Sequence, residues 1–505
     1  MTIVFFILLI AQLGASVAFV LSLAKLNLLQ LWQLLIVVTV LVAIFAINFC
    51  LLVVRKKGKV AKAFAVLLSI AVIAGSFLGF KYVRQATSFI ETATGAEYET
   101  QTYKVLSLKD SAYTEVSMLA RQHVGFLKSN PNLDNTHAAL KNVVDYKNYD
   151  YDDLVSLVAA LYDHEAAAVV LSDSYLDYLS EDADSTFTDD TRVIYEFEVR
   201  ADTPDLRQAV DVTAEPFAVY ISGSDSRGAI TQTARSDVNI VAIVNPKTAR
   251  ILLISIPRDY YVQLHGTTGN KDKLTHAGIY GIEMSKNTIE DLLGIKINYT
   301  GKVGFQTVIK VVDALGGIDI DSDQPLKLQG GKCVFEQGLN KNVNSTCALA
   351  FARERYSYAS GDRHRGQNQQ QIIEKIIAKM SDPHYAVRWS QILDAAKGSF
   401  ETSLTYEEIT SFARVELSSL RHWSVESIQL DGTGAMLPTY SMGSQKLYVM
   451  IPDQSTIDAA KAKILEYTTD TGAGSNSGST SGSNSGSSSN SGSSSDSAST
   501  SGTNK

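Results

Sequence analysis

Asp237-Val238-Asn239-Ile240-Val241-Ala242-Ile243-Val244-Asn245-Pro246-Lys247-Thr248-Ala249-Arg250-Ile251-Leu252-Leu253-Ile254-Ser255-Ile256-Pro257-Arg258 holds two apolar runs, residues 238–244 and 250–256, around a polar break. Asn-Pro is a strong turn starter, so the stretch predicts a long β-hairpin. Its turn centres near Lys247 and Thr248, and residues equally far on either side should face each other across the strands. Asp237 and Arg258 occupy such positions. A carboxylate at the start of one strand therefore meets a guanidinium at the end of the other. Arg235 shares the face of Asp237 if the strand extends that far. A single salt bridge closing the hairpin is the plain reading of this pair.

Working outward, Phe217-Ala218-Val219-Tyr220-Ile221 reads as a buried strand followed by a Gly-rich turn. Helices are expected over residues 281–293 and 305–315, the second stopped by Gly316-Gly317. A third is expected over residues 366–380, with Ile372, Ile373, Ile376, Ile377 and Met380 on its buried stripe. A hairpin mixed with helices implies an α/β or α+β sandwich.

Charged residues accumulate around these elements. Asp225 and Arg227 sit in the turn after the first strand. Arg353 and Arg355, in Ala352-Arg353-Glu354-Arg355-Tyr356, point the same way if extended. Gly361-Asp362-Arg363-His364-Arg365-Gly366-Gln367-Asn368-Gln369 leads into the third helix, where Arg365 and Gln369 lie one turn apart. So many guanidinium groups on turns and element ends suit a polyanion, because each can grip phosphate oxygens in a bidentate fork. A helix N-terminus near Gly366 would add backbone donors. Two nearby aspartates suit Mg²⁺, which takes one or two carboxylates plus phosphate oxygens and water.

The rest of the 505-residue chain divides by composition. Residues 3–23, 34–54 and 61–80 are apolar runs, each long enough to cross a bilayer core of about 30 Å. The first has no basic flank or cleavage site of a signal peptide. Arg55-Lys56-Lys57-Gly58-Lys59 between the second and third runs places that loop, and the N-terminus, in the cytoplasm. Everything after Lys81 is then extracytoplasmic. Lys25, in a short outer loop, runs weakly against this. Residues 1–96 form the membrane anchor. Residues 97–214 form an acidic accessory domain in which Leu154, Leu157, Val158 and Leu161 repeat at helical spacing and Val193, Tyr195 and Phe197 alternate as in a strand. Residues 215–469 carry the hairpin. Residues 470–505, almost all Ser, Gly, Asn and Thr, cannot bury enough apolar surface to fold. Cys333 and Cys347 lie on the oxidising side, where they read as a disulfide worth up to about 3 kcal/mol, two unpaired thiols being the alternative. Cys50 lies in a membrane run. The net charge of −8 argues against a general nucleic-acid binder. The histidines, among them His265, His276, His364 and His384, lack zinc-ligand spacing. Asp272 and Lys273 read as a local pair, with a phosphate contact for Lys273 as the alternative.

Several stretches carry a resemblance to a known family. They are Arg235-Ser236-Asp237-Val238, Ser255-Ile256-Pro257-Arg258-Asp259, Asp272-Lys273-Leu274-Thr275-His276-Ala277, Asp313-Ala314-Leu315-Gly316-Gly317-Ile318, Ala352-Arg353-Glu354-Arg355 and Asp362 through Gln369. In that order they resemble the LytR–CpsA–Psr (LCP) family, in its streptococcal capsule-assembly branch. The resemblance implies a sandwich with a central mixed sheet and transfer of a polyprenyl-pyrophosphate-linked glycan, here capsular polysaccharide, onto peptidoglycan of a Gram-positive wall. It implies that Asp225 and Asp237 hold Mg²⁺, with Mn²⁺ able to replace it. It implies that Arg227, Arg235, Arg258, Arg353, Arg355, Arg363, Arg365 and Gln369 face the pyrophosphate and that Asp362 orients an arginine. Asp225, Asp237 and Arg258 would be the catalytic set. Ser224 departs from the larger apolar residue many members carry there. Capsule-synthesis proteins in the same membrane are further candidate partners. A lipid-pyrophosphate hydrolase and a membrane regulator of capsule synthesis are the alternatives.

Overall fold

The structure, a computed structural model, describes residues 2–54, 58–94, 98–181, 186–202, 205–224, 230, 233–358, 361–380, 388–419, 421 and 423–469. The basic loop at residues 55–57, Asp225, Arg227, His384 and the Ser/Gly tail lie outside the described residues.

Three helices open the chain, α1 (Thr2–Leu26), α2 (Leu31–Phe49) and α3 (Lys59–Thr94), each long and apolar enough to cross a membrane. A buried polar knot ties them together. The Asn48 side-chain amide donates to Gln12 Oε1 at 3.0 Å and to Ser69 Oγ at 2.9 Å, the kind of contact that glues helices where water is absent. At about 1.5 Å per residue α3 is about 54 Å long, against a core of about 30 Å. Its last turns pack on the soluble part. Phe89 stacks on Phe400 with centroids 6.4 Å apart, Gln85 Nε2 donates to Asp394 Oδ2 at 2.8 Å, and Leu26, Val83 and Ile90 cluster with Tyr406 and Ile409.

The first soluble unit comprises β1 (Tyr98–Leu108), β2 (His123–Leu127), α4 (Leu133–Lys141), β3 (Lys147–Tyr151), α5 (Leu154–Tyr162), β4 (Ala168–Ser172), α6 (Asp173–Glu181), α7 (Phe187–Asp190) and β5 (Thr191–Asp202). Its sheet runs β3-β2-β4-β1-β5, with β3, β2 and β4 parallel and β1 antiparallel to both neighbours. The helical spacing at Leu154–Leu161 lies in α5, capped by Asp153 accepting from the Ser156 amide at 2.8 Å, and the alternation at Val193–Phe197 lies in β5.

The second unit comprises β6 (Phe217–Ser224), β7 (Val238–Asn245), β8 (Arg250–Ile256), β9 (Tyr261–Val262), β10 (Asp272–Lys273), α8 (Leu274–Ala277), α9 (Ile282–Leu293), β11 (Tyr299–Gly304) and α10 (Phe305–Leu315). It continues with β12 (Ile318–Ser322), β13 (Leu326–Leu328), β14 (Cys333–Phe335), β15 (Gly338–Val343), α11 (Ser345–Arg353), α12 (Asp362–Met380) and α13 (Trp389–Ala396). It closes with β16 (Phe400–Thr402), α14 (Tyr406–Ser419), β17 (Ser424–Gln429), β18 (Gly432–Pro438), β19 (Lys446–Pro452) and α15 (Gln454–Thr469). The central sheet is mixed, in the order β16-β11-β6-β7-β8-β17, with β11 parallel to β6 and β17 parallel to β8.

The hairpin β7–β8 is the middle of this sheet. Asn245 Oδ1 accepts from the amides of Lys247 and Thr248, a side-chain turn that fixes the reversal. Register then follows, from Asn245 opposite Arg250 to Asn239 opposite Ile256. Alternation splits the apolar residues between two faces. Ala218, Tyr220, Val241, Ile243, Leu252 and Ile254 meet α9 and α15. Val238, Ile240, Ala242 and Leu253, with half-buried Ile221 and Ile251, meet Ile373 of α12. The result is the helix–sheet–helix sandwich expected.

Three local expectations are corrected. Helix α12 begins at Asp362, four residues before Gly366, so the Arg365 amide already bonds Gly361 O at 3.2 Å and the free helical amides lie earlier. Its isoleucines do not share one core: Ile372 and Ile376 join the cluster with α10 and α11, whereas Ile373 meets the sheet. The side chains of Ile377 and Met380 lie outside the described residues. Strand β7 begins at Val238, so Arg235 precedes it rather than alternating with Asp237.

Cys333 and Cys347 are joined, with Cα atoms 5.3 Å apart, closing β14 onto α11. A loop of this length predicts that Cys333→Ser/Cys347→Ser lowers unfolding free energy by about 3 kcal/mol. Chemical denaturation of the full chain in detergent checks it.

Candidate functional site

The site grows from the open end of the hairpin. Two residues beyond the last paired positions, Arg258 Nη1 donates to Asp237 Oδ1 at 2.7 Å, with both side chains largely buried. The next residue, Asp259, is buried and accepts from Lys273 Nζ at 3.0 Å, while Arg258 Nε stands 3.8 Å from its other oxygen. Burial pushes the Asp259 carboxyl up, but the charges of Lys273, Arg258 and Arg365 outweigh it and hold the group below the usual carboxylate range. Asp259 thus places Arg365 in the same field as Arg258. The Lys273 ammonium pairs with Asp259, and what Lys273 gives its neighbour Asp272 is the backbone amide, donated to Oδ1 at 2.8 Å, which corrects the reading of a local charge pair.

The sign of that shift makes a prediction. A carboxyl depressed in the folded state stabilises the protein above its unfolded pKa of about 4, and the contribution fades as pH falls through the folded value. The thermal midpoint should drop on acidification below about pH 4. In Asp259→Asn the Asp259 share of that slope should be missing, as pH-dependent melting of both proteins will show.

A buried polar network sets Asp237. Its amide donates to Gly223 O at 2.9 Å. Ser236 Oγ stands 3.0 Å from Tyr220 OH, 2.8 Å from Ser222 Oγ and 2.9 Å from Asn239 Oδ1, and Asn239 Nδ2 returns a bond to Ser236 O. Thr275 then spans the two halves of the charge pair: its carbonyl accepts from the Ser236 amide at 3.2 Å, and its amide donates to Arg258 O at 2.8 Å. Immediately after, Gly278 backs onto this segment. A Cβ there would lie 2.6 Å from Ala234 O and 2.7 Å from Ser236 N.

The brace around Thr275 is itself anchored. Buried His276 Nδ1 meets Asp272 Oδ1 at 2.7 Å and Ser441 Oγ at 2.9 Å, and Asp272 Oδ2 accepts from the Ser441 amide at 2.8 Å. This is not a catalytic triad, because serine and carboxylate share the same ring nitrogen and all three are buried. Ser441 was invisible to motif reading, lying 165 residues from His276.

Helix α12 brings the remaining groups in from above the sheet. Gly366 permits the approach, since a Cβ there would lie 2.7 Å from Gln429 Nε2 and 3.3 Å from Ser255 Oγ. Gln370 Nε2 donates to Ile428 O at 3.0 Å, and Asn368 Nδ2 to Phe351 O at 3.0 Å, which locks α12 to α11 beside Arg353. Arg365 and Gln369 are buried one turn apart. Arg353 is the last residue of α11 and exposed; Arg355 follows an extended Glu354 and lies over the Tyr356 ring, donating to its hydroxyl at 2.6 Å. The two arginines are therefore not an extended i, i+2 pair. The side chains of Asp362 and Arg363, like all of Asp225 and Arg227, lie outside the described residues.

Among the described residues no three His, Cys, Asp or Glu side chains converge as metal ligands. Asp237 still fits a magnesium site. One oxygen is held by Arg258, and the other accepts no hydrogen bond among the described residues. A hard ion sharing one or two carboxylates with phosphate oxygens needs no more from this strand.

The model of the LytR_cpsA_psr family matches residues 185–463, from just before α7 into α15. The chain belongs to that family. LCP relatives include the polyisoprenyl-teichoic acid–peptidoglycan teichoic acid transferase TagU of Bacillus cereus, 32% identical over 222 residues, covering 44% of this chain and 70% of that protein. TagU of Enterococcus faecalis is 31% identical, covering 44% and 72%. TagV of Bacillus subtilis is 29% identical, covering 55% and 72%. The crystal structure of B. subtilis TagV aligns with a TM-score of 0.43 at 28% identity, covering 50% of this chain and 97% of that one. The LCP match spans the whole central sheet, whereas α1–α3 and β1–β4 precede it.

Proposed function

We propose that this chain is a membrane-anchored transferase that moves a glycan, a capsular polysaccharide, from polyprenyl pyrophosphate to a hydroxyl of peptidoglycan outside the membrane. The observation that carries the reading is the Asp237–Arg258 pair set in a common field with Arg365, at the end of a hairpin whose register a braced backbone fixes. The LCP relatives are named for transfer of teichoic acid from a polyisoprenyl carrier to peptidoglycan, which supports the class of transfer and leaves the capsular glycan as the proposal.

In this reading the acceptor hydroxyl oxygen bonds to the sugar-linked phosphorus as its proton passes to solvent, the P–O bond to the second phosphate breaks, and polyprenyl phosphate leaves. The leaving oxygen gathers negative charge, which Arg258 and Arg365 receive; Arg235, Arg353, Arg355 and Gln369 hold the remaining phosphate oxygens, with Arg227 and Arg363 as further contacts. Asp237 holds Arg258 in orientation. Asp225 and Asp237 would hold Mg²⁺ or Mn²⁺, which when bound supplies charge neutralisation to the phosphate oxygens. The basic loop between α2 and α3 puts the sheet on the outer side.

The test is full-length protein in liposomes with lipid-pyrophosphate glycan and peptidoglycan. Glycan should become wall-linked in wild type and not in Asp237→Asn. Release of free glycan at the same rate with and without acceptor would make the chain a hydrolase and overturn the reading.

A further inference from the structure

The first soluble unit holds an open cavity of about 560 Å³ that neither the arginine cluster nor the proposed transfer uses. It lies where α5 ends and stops covering the sheet. Its walls come from the starts of β2 and β3, with His123 opposite Lys147, from the turn before β2, with Arg121, and from the segment after α5, with His164 and Glu165. Tyr113 closes one side, its hydroxyl 3.2 Å from Gln122 Oε1.

Two observations mark this cavity off from an ordinary surface dip. Arg121 (φ 61°) and His164 (φ 57°) are two of only six described non-glycine residues in the left-handed region, and both line it. His164 sits just past the C-cap of α5, where the chain turns back through Glu165 and Ala166 amides bonded to Ala160 O. Glycine or asparagine serves such a position more easily, and Cβ-bearing residues held there cluster at sites that bind. The second observation is chemical. In a chain of net charge −8, this cavity gathers Arg121, Lys147 and two histidines against a single Glu165. Beside it aromatic rings line up from β2 onto the edge strand β3, His123 5.7 Å from Tyr149 and Tyr149 5.8 Å from Tyr151, with Tyr149 57% exposed.

We infer that this cavity binds an anionic saccharide, its carboxylate or phosphate against Arg121 and Lys147 and its sugar rings against Tyr149. Guanidinium and ammonium donors select the charge, while an exposed ring on a rigid strand offers an apolar face at little entropic cost. The accessory unit would then give the chain a saccharide-holding surface of its own, separate from the arginine cluster.

Full-length protein in detergent is titrated with oligogalacturonate, with peptidoglycan glycan strands stripped of peptide, with maltoheptaose and with inorganic phosphate. One or both acidic saccharides should bind, and which one identifies donor-type or wall-type strands as the source. Arg121→Gly is the informative variant. Glycine relieves the left-handed backbone, so the melting temperature should hold or rise while affinity falls at least tenfold. Lys147→Ala should weaken binding similarly, and Tyr149→Ala should weaken oligogalacturonate or glycan strands more than phosphate. Equal binding of maltoheptaose, binding of phosphate alone, no binding of either acidic saccharide, or full affinity in Arg121→Gly each overturns the assignment.

Discussion

Arg258→Ala is expected to lower glycan transfer by about 10²–10³-fold, the usual loss when one preorganised donor to a developing oxyanion is removed. Among the described residues the side chain has partners in place before any ligand arrives. It donates to Asp237 and stands beside buried Asp259. Its removal therefore also leaves Asp237 without its donor, and stability should fall by about 1–3 kcal/mol. The two effects separate in a cycle with Asp237→Asn, which removes the stranded charge. If the pair merely closed the hairpin, the double variant would regain both stability and activity. In a site that grips pyrophosphate, stability recovers in part and transfer does not. Arg258→Lys sharpens the point, because an ammonium keeps the charge but loses the planar fork. Its activity should stay at least tenfold below wild type at wild-type stability.

Gly278→Ala should cost transfer about 100-fold although it removes no charge and touches no ligand. The new Cβ would press on Ala234 O and Ser236 N, both backbone atoms, so the segment carrying Arg235 to Asp237 has to move. A displacement near 1 Å at a reacting geometry is worth about that factor. The Thr275 bridge makes the strain harder to absorb locally, since the same residue bonds Ser236 on one side and Arg258 on the other. Transfer kinetics against melting temperature decide the matter: a loss of rate that merely tracks unfolding would show that the contact is structural only.

The hairpin was legible because its information is local. Asn245 starts the turn, the turn sets the register, and the register carries Asp237 to Arg258 without help from the rest of the chain. The helix stop at Gly316, which takes φ 75°, was legible for the same reason. Groups that act across the chain were not. Nothing in the run Asp272–Ala277 says that Lys273 will reach back to Asp259 or that Ser441 will clasp His276. From sequence Gly366 reads as a helix start, yet its missing Cβ serves the contact of a helix already begun with Ser255 and Gln429. Arg353 and Arg355 point the same way only on an extended backbone, which helix α11 does not provide at Arg353. In each case the residue type was informative and the partner was not, because the partner is chosen by tertiary packing.

The seam between α3 and the second unit also governs how this protein behaves outside a bilayer. Phe400, Tyr406 and Ile409 sit against Phe89, Val83 and Ile90, which belong to the anchor. A secreted fragment beginning at Tyr98 would leave that seat bare. Contiguous apolar surface of this kind drives self-association, so such a fragment would stick to its own copies through the side that the anchor normally covers. Keeping it in solution calls for polar residues at Tyr406 and Ile409, not only for removing the helices.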